Sequence, residues 1–238
     1  MIACHCVVCS STNARDKRLR SSVMVQDHGQ TVVIDAGPDF RQQMLREHVD
    51  ELHALLLTHA HVDHIGGLDD IRAFNFFMKR DMDIYLSELS EQILRKHNDY
   101  IFDKDPYPGV PRVKLHRIGN GPFTAAGFEV TPIRVMHHQM PVEAFRIGGF
   151  TYITDANFIA PEEREKAKGS KVLVVNALRW EKHISHFTVD QALELINELK
   201  PETAYFTHIS HQLGLHDEVE KKLPPNVHLA YDGLVIEV

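Results

Sequence analysis

Three imidazoles and one carboxylate fall within the six residues His59-Ala60-His61-Val62-Asp63-His64. The apolar run Ala54-Leu55-Leu56-Leu57 leads straight into them, the pattern of a buried strand that ends in a polar turn. His59 and His61, two residues apart, turn to one side and grip a single ion. Asp63 and His64 then reach a second ion beside it. Neutral imidazole suits zinc, iron, nickel and manganese, and the carboxylate draws such a site toward harder ions. A run of surface histidines is the plain alternative.

The segment resembles the HxHxDH signature of the metallo-β-lactamase superfamily, and Gly66-Gly67 after it fit as well. The resemblance implies further ligands in a set order downstream. His137 follows the strand-like Phe128-Glu129-Val130-Thr131-Pro132-Ile133-Arg134-Val135, Asp155 follows Phe150-Thr151-Tyr152-Ile153-Thr154, and His208 follows Ala204-Tyr205-Phe206-Thr207. On this reading His59, His61 and His137 hold one ion, while Asp63, His64 and His208 hold the other. Asp155, with two oxygens on one carboxylate, bridges them. His138 competes with His137, which is preferred. Asp35, at the end of Val32-Val33-Ile34, is expected to support the metal loop, because a ligating histidine needs a partner for its second ring nitrogen.

Length and composition suit one compact enzyme domain, residues 1–238. The chain is 43% hydrophobic and has a formal net charge of −7, which argues against disorder and against a broad phosphate-backbone footprint. No apolar run reaches the length of a membrane span, and no basic-then-apolar leader opens the chain, so a cytoplasmic protein is expected. All three cysteines lie in Cys4-His5-Cys6-Val7-Val8-Cys9, so a disulfide framework is not expected. That C-x-C-x-x-C spacing suits a structural zinc held by residues 1–9. His5 is constrained by its neighbours, and His211, three residues beyond His208, is the better fourth ligand.

The two clusters together resemble the PhnP-like cyclic phosphodiesterase subgroup, which pairs a dinuclear site with a structural zinc of this kind. Thr207-His208-Ile209-Ser210-His211-Gln212 and Asp232-Gly233 carry that likeness. Members usually have a strand and a glycine-rich turn before the first cysteine, whereas this chain begins Met1-Ile2-Ala3-Cys4. The resemblance implies a four-layer αββα sandwich with both catalytic ions at one edge, manganese favoured over zinc. His186, in His183-Ile184-Ser185-His186-Phe187-Thr188, matches the subgroup's non-ligand histidine, which acts as general acid or binds a phosphate oxygen. His183 is its competitor. Arg72, Arg146, Arg179 and Lys182 are candidate phosphate contacts.

Two close divalent ions lower the pKa of a shared water and stabilise charge on a substrate oxygen. With His186 and Asp63 in the catalytic set, the expected activity is hydrolysis of a small cyclic phosphate, either ribose 1,2-cyclic phosphate or a 2′,3′-cyclic nucleotide. The alternatives are a transfer-RNA 3′-end nuclease, a thioester or other non-phosphate ester hydrolase, and a thiol-based metal or redox sensor. No basic arm supports RNA as partner.

The elements that must position these groups read as mixed α/β. Strands are expected at 22–25, 31–35, 54–58, 83–85, 128–135, 144–147, 150–154, 171–176, 204–207, 227–230 and 234–237. Helices are expected at 68–79, 88–101, 161–168, 189–200 and 216–223. The clearest follows Thr188, which with Gln191 forms a capping box, and Ala192, Leu195, Ile196 and Leu199 then share one face. The proline- and aromatic-rich stretch 100–111 either covers the substrate pocket, serves as a rigid connector, or joins two copies of the chain.

Overall fold

A computed structural model describes residues 1–238. The chain forms two compact units, residues 20–130 and residues 1–19 with 131–238.

The unit of residues 20–130 is built on a five-stranded sheet, β1 (Val23–Asp27), β2 (Gln30–Ile34), β3 (Ala54–Leu56), β4 (Met82–Leu86) and β5 (Val113–Arg117), in that spatial order. β1 and β2 are an antiparallel hairpin in register Asp27↔Gln30, and the other neighbours are parallel. His28 and Gly29, both at positive φ, make the two-residue turn whose twist matches the strands it joins. The helices are α1 (Phe40–Arg46), α2 (Val62–Ile65), α3 (Ile71–Met78) and α4 (Glu88–His97). Val33, Leu55, Ile84 and Leu86 from the sheet share a core with Phe40, Ile71, Phe74 and Leu94 from the helices. Because β3 lies inside this sheet, Ala54, Leu55 and Leu56 are all buried, and His59 is carried out from the centre of the layer. A further short strand, β6 (Phe123–Ala125), pairs with the first residues of β7 (Phe128–His137).

The other unit carries β7, β8 (Met140–Ile147), β9 (Phe150–Ile153), β10 (Phe158–Ile159), β11 (Val172–Asn176), β12 (Thr203–Thr207) and β13 (Val227–Leu229), in spatial order β10-β7-β8-β9-β11-β12-β13. β9, β11, β12 and β13 run parallel. The interior strand β11, Val-Leu-Val-Val-Asn, is buried along its length, as a parallel strand covered on both faces must be. Its helices are α5 (Pro161–Ala167), α6 (Val189–Leu199) and α7 (His216–Glu220). α6 has both halves of the expected capping box, Thr188 Oγ1 accepting from Gln191 N and Gln191 Oε1 from Thr188 N. Such a cap stabilises a helix by about 1 kcal/mol. Ala192, Leu195, Ile196 and Leu199 pack with Leu173, Val175 and Phe206.

The mixed α/β class is as expected, with differences in detail. Residues 234–237 form no strand: the apolar run Leu234-Val235-Ile236 pairs with no neighbouring strand, and Val235 is 81% exposed. The expected helix 68–79 is a 3₁₀ turn, Leu68–Asp70, followed by α3, which Lys79 ends in left-handed backbone. The helix expected over 88–101 stops at His97. β5, β6, β10, α1 and α2 were not expected. No helix is long and apolar enough to cross a membrane.

Candidate metal centre

The first cluster belongs to the unit of residues 20–130. Asp35, fully buried just past β2, accepts three hydrogen bonds: from Thr58 N to Oδ1 at 2.8 Å, and from Thr58 Oγ1 and His64 Nδ1 to Oδ2, each at 2.7 Å. Since His64 donates from Nδ1, its lone pair is on Nε2, which lies 3.7 Å from Asp63 Oδ2. Thr58 Oγ1 gives its hydrogen to Asp35, so it accepts from His59 Nδ1 at 3.0 Å and leaves the His59 lone pair on Nε2. That nitrogen is 3.0 Å from His61 Nδ1. Two nitrogens bound to one zinc at 2.0–2.1 Å in tetrahedral geometry are roughly 3.4 Å apart, so the pair has the spacing of two ligands on one cation. Asp35 therefore partners the second ring nitrogen of His64, and through Thr58 it orients the His59 ring.

Backbone packing fixes this arrangement. A Cβ at Gly37 would lie 2.1 Å from the Asp63 carbonyl oxygen, and one at Gly67 would lie 2.2 Å from that of Gly37. Glycine at both positions lets the end of β2 touch α2, sealed by Ala36 N to His64 O and Gly67 N to Ala36 O, each 2.8 Å.

The second cluster belongs to the other unit and gathers His137, Asp155, His186 and His208. Asp155 follows β9 with φ +54°, and His208 follows β12 with φ +52°. Asp35, after β2, has φ +66°. Left-handed backbone at a non-glycine residue costs on the order of 1–3 kcal/mol and tends to collect at functional sites. Asp155 Oδ2 accepts from Thr154 Oγ1 at 2.7 Å, and Asp155 Oδ1 lies 3.3 Å from His208 Nε2. His137 donates from Nδ1 to Ser185 O at 2.8 Å, which puts its lone pair on Nε2. One ligand atom each of His137, Asp155 and His186 can be chosen within 4.8 Å of the others. His138 is exposed, with its backbone N bound to Asn157 Oδ1.

His186 sits at the middle of this second cluster. It is buried, and its ring centroid is 4.6 Å from His137, 4.8 Å from His208 and 5.0 Å from His183. Its Nδ1 makes no hydrogen bond and faces Asp155 Oδ1 at 3.9 Å. Burial, then the neighbouring His208, push its pKa down to about 3, so the ring is neutral at pH 7. Desolvation likewise lowers the His183 pKa.

Several contributors carry no signal in the sequence. The buried Asn176 side chain clasps Ala156, accepting from its N at 2.8 Å and donating to its O at 2.9 Å, and so holds the residue after Asp155. Asn157 ties the residue 184 carbonyl to the turn after β7. Two candidate phosphate contacts are otherwise engaged. The Arg179 guanidinium donates to Glu181 O, Lys182 O and Gln212 Oε1, and that of Arg146 to the carbonyls of residues 148, 166, 168 and 169. Arg72 pairs with Asp69 at 3.4 Å.

The thiols form a third group. Cys4 Sγ and Cys6 Sγ each lie 3.4 Å from His211 Nδ1, and the sulfurs of Cys4, Cys6 and Cys9 with a ring nitrogen of His211 all fall within 4.8 Å. The Cys9 backbone N–H, then His211, hold the Cys6 pKa down to about 6, favouring thiolate. None of the three is in a disulfide, and His5 is exposed. Thiolate character and a convergent imidazole fit a divalent ion such as zinc.

Residues 30–209 match the beta-lactamase superfamily domain family. A solved structure described as a new diphosphatase from the PhnP family is 38% identical, with a TM-score of 0.92, and the match covers 100% of this chain and 91% of that one. The chain belongs to the metallo-β-lactamase superfamily, and within it to the PhnP family. Its domain accordingly has the metallo-β-lactamase fold shared by metal-dependent hydrolases, a fold that implies divalent metal ions. An octanoyltransferase of Porphyromonas gingivalis is 41% identical over 236 residues, 98% of this chain. The chain spans about half of that relative, 48% of its length. The fold is also that of zinc-bound PqqB from Methylobacterium extorquens, at 20% identity, a TM-score of 0.75, and coverage of 100% and 95% of the two chains.

Proposed function

We propose that the chain hydrolyses a P–O bond in a small phosphate ester, with a cyclic phosphate such as ribose 1,2-cyclic phosphate or a 2′,3′-cyclic nucleotide as its first substrate class and a phosphomonoester as product. The observation that carries this is His186: a buried neutral imidazole outside the expected ligand set, with an uncommitted Nδ1, beside Asp155, His137 and His208. A neutral imidazole can donate its N–H to a phosphoryl oxygen or take a proton from the attacking water, both of which assist phosphoryl transfer.

In this reading His59, His61, Asp63, His64, His137, Asp155 and His208 hold two divalent ions, manganese before zinc, and Cys4, Cys6, Cys9 and His211 hold a structural zinc. Such a pair, when bound, lowers the pKa of water and neutralises charge on a phosphoryl oxygen. The chain's own groups do the rest. Asp35 and Thr58 fix the tautomers of His59 and His64, Ser185 O fixes that of His137, and the buried His186 takes up a proton or donates an N–H to a phosphoryl oxygen. Asp63 belongs to the catalytic set as a ligand.

A second reading is hydrolysis of a diphosphate, favoured by the 38% identity to a diphosphatase of the same family. Octanoyl transfer is named for a protein of which about half lies outside the match, and in this chain the three thiols gather at His211. The test is a side-by-side assay of purified, manganese-loaded protein on ribose 1,2-cyclic phosphate, 2′,3′-cyclic AMP, a nucleoside diphosphate, a precursor transfer RNA and an octanoyl thioester. Opening of the cyclic phosphates supports the first reading and release of phosphate from the diphosphate the second. Turnover of only the RNA or the thioester rejects both.

A further inference from the structure

The loop between β11 and α6 carries two histidines, and the proposed mechanism uses only His186. His183 lies one ring farther along, 5.0 Å centroid to centroid from His186 and tilted by 42°. It is half-buried where His186 is buried. Its Nδ1 accepts from Ser185 N and faces Ser185 Oγ, each at 3.3 Å, so the neutral ring carries its proton on Nε2. His183 thus presents an N–H donor beside a buried imidazole whose Nδ1 has no partner.

The loop is built to hold that donor still. Arg179 spans its base, donating to Glu181 O at 3.2 Å and Lys182 O at 3.1 Å. Ser185 O receives His137 Nδ1, and Ile184 O receives Asn157 Nδ2. Leu178 N bonds Phe187 O, closing the loop across its neck. A donor fixed at both ends of its loop loses little freedom when a ligand arrives. Lys182, the residue before His183, is exposed.

We infer that His183 is a specificity-determining residue, binding through Nε2–H a second phosphoryl group linked to the one that reacts beside His186. This rests on the second of the two phosphohydrolase readings, the diphosphate one, and deepens it. A cyclic monophosphate has no second phosphoryl group to offer, whereas a diphosphate carries one linked to the reacting phosphorus, and His183 is a neighbouring imidazole to His186 and the more exposed of the two. A His183 contact of this kind would favour the diphosphate reading over the cyclic phosphate one.

The test is calorimetric binding of methylenediphosphonate, which cannot be hydrolysed at its bridge, and of orthophosphate to the metal-loaded wild type, His183→Ala and His183→Asn. Metal content is measured in each. The wild type is expected to bind the diphosphonate more tightly than orthophosphate. His183→Ala is expected to weaken diphosphonate binding by about tenfold or more, the size of one hydrogen bond to a charged group, with orthophosphate affinity and metal content retained. His183→Asn, which keeps an N–H donor, should recover part of the loss. Unchanged diphosphonate affinity, equal losses for both anions, or lost metal in His183→Ala would overturn the assignment. Failure of the wild type to bind either anion would instead remove the phosphate reading on which it depends.

Discussion

Asp35→Asn separates the proposed orienting role from simple filling of space. The substitution is nearly isosteric, and Asn tolerates the φ of +66° found at this position. The new Oδ1 can still accept from Thr58 N. The new Nδ2 donates where Oδ2 accepted, so it meets the Thr58 hydroxyl and His64 Nδ1–H, both at 2.7 Å in the native site. The hydroxyl can turn and accept, but its hydrogen then points toward His59 Nδ1 and pushes the His59 proton to Nε2. His64 has no such freedom and must move its own proton to Nε2. Both ligating nitrogens would then be blocked. Loss of one buried charge-assisted bond costs about 1.5–3 kcal/mol of stability, and loss of such an outer partner costs about 10–100-fold in metal affinity. With two rings affected, the upper end of that range is expected. Competition with a chromophoric chelator gives the affinity, and urea denaturation of metal-free protein gives the stability. Metal affinity within twofold of wild type would refute the tautomer argument, even if stability fell.

Other perturbations probe separate parts of the account. His186→Ala should leave the ions bound and lower turnover by about 10²–10⁴-fold; metal analysis showing a lost ion would make it a ligand instead. Cys6→Ser should remove one zinc and lower thermal stability while the other ions still load, as read by elemental analysis. Gly37→Ala places a Cβ 2.1 Å from the Asp63 carbonyl and should destabilise by about 1–3 kcal/mol or more, with weaker metal binding. His216 is buried, with Nδ1 accepting from Arg18 at 3.1 Å, and burial followed by Arg18 holds its pKa below the usual 6.5. The unfolded chain binds this proton more readily than the folded one. Its contribution is therefore complete above pH 6.5 and is lost as pH falls. The urea midpoint should drop between pH 7.5 and 5.5 and drop less in His216→Gln; an equal drop in both would contradict the assignment.

The chemistry of this chain was more legible than its scaffold. His59, His61, Asp63 and His64 are neighbours in sequence, and their types alone narrow what they can do. Asp155 and His208 stood out because each ends an apolar run, and the structure shows why: the chain turns through left-handed backbone just past β9 and β12. Asn176 and Thr58 were silent because they work by meeting residues distant in sequence or by passing on a hydrogen bond, and their local patterns are those of ordinary strand ends. Residues 234–237 failed for a different reason. The β-prone run Leu234-Val235-Ile236 reads as a strand, yet a strand also needs an edge to pair with, and pairing is not written in the segment itself. β5 was missed for the converse reason: its half-exposed, charged pattern is weak, and pairing with β4 makes it a strand.

The central claim is that metal-dependent phosphate ester hydrolysis resides in these histidine and aspartate clusters. The most direct measurement strips the protein with chelator, restores manganese or zinc stepwise, and follows ribose 1,2-cyclic phosphate and a nucleoside diphosphate by phosphorus NMR. The account predicts no turnover without metal, recovery in step with the filling of two ions beyond the structural zinc, and a phosphomonoester product. Turnover that survives metal removal, or metal-restored protein that leaves both phosphates intact, would contradict it.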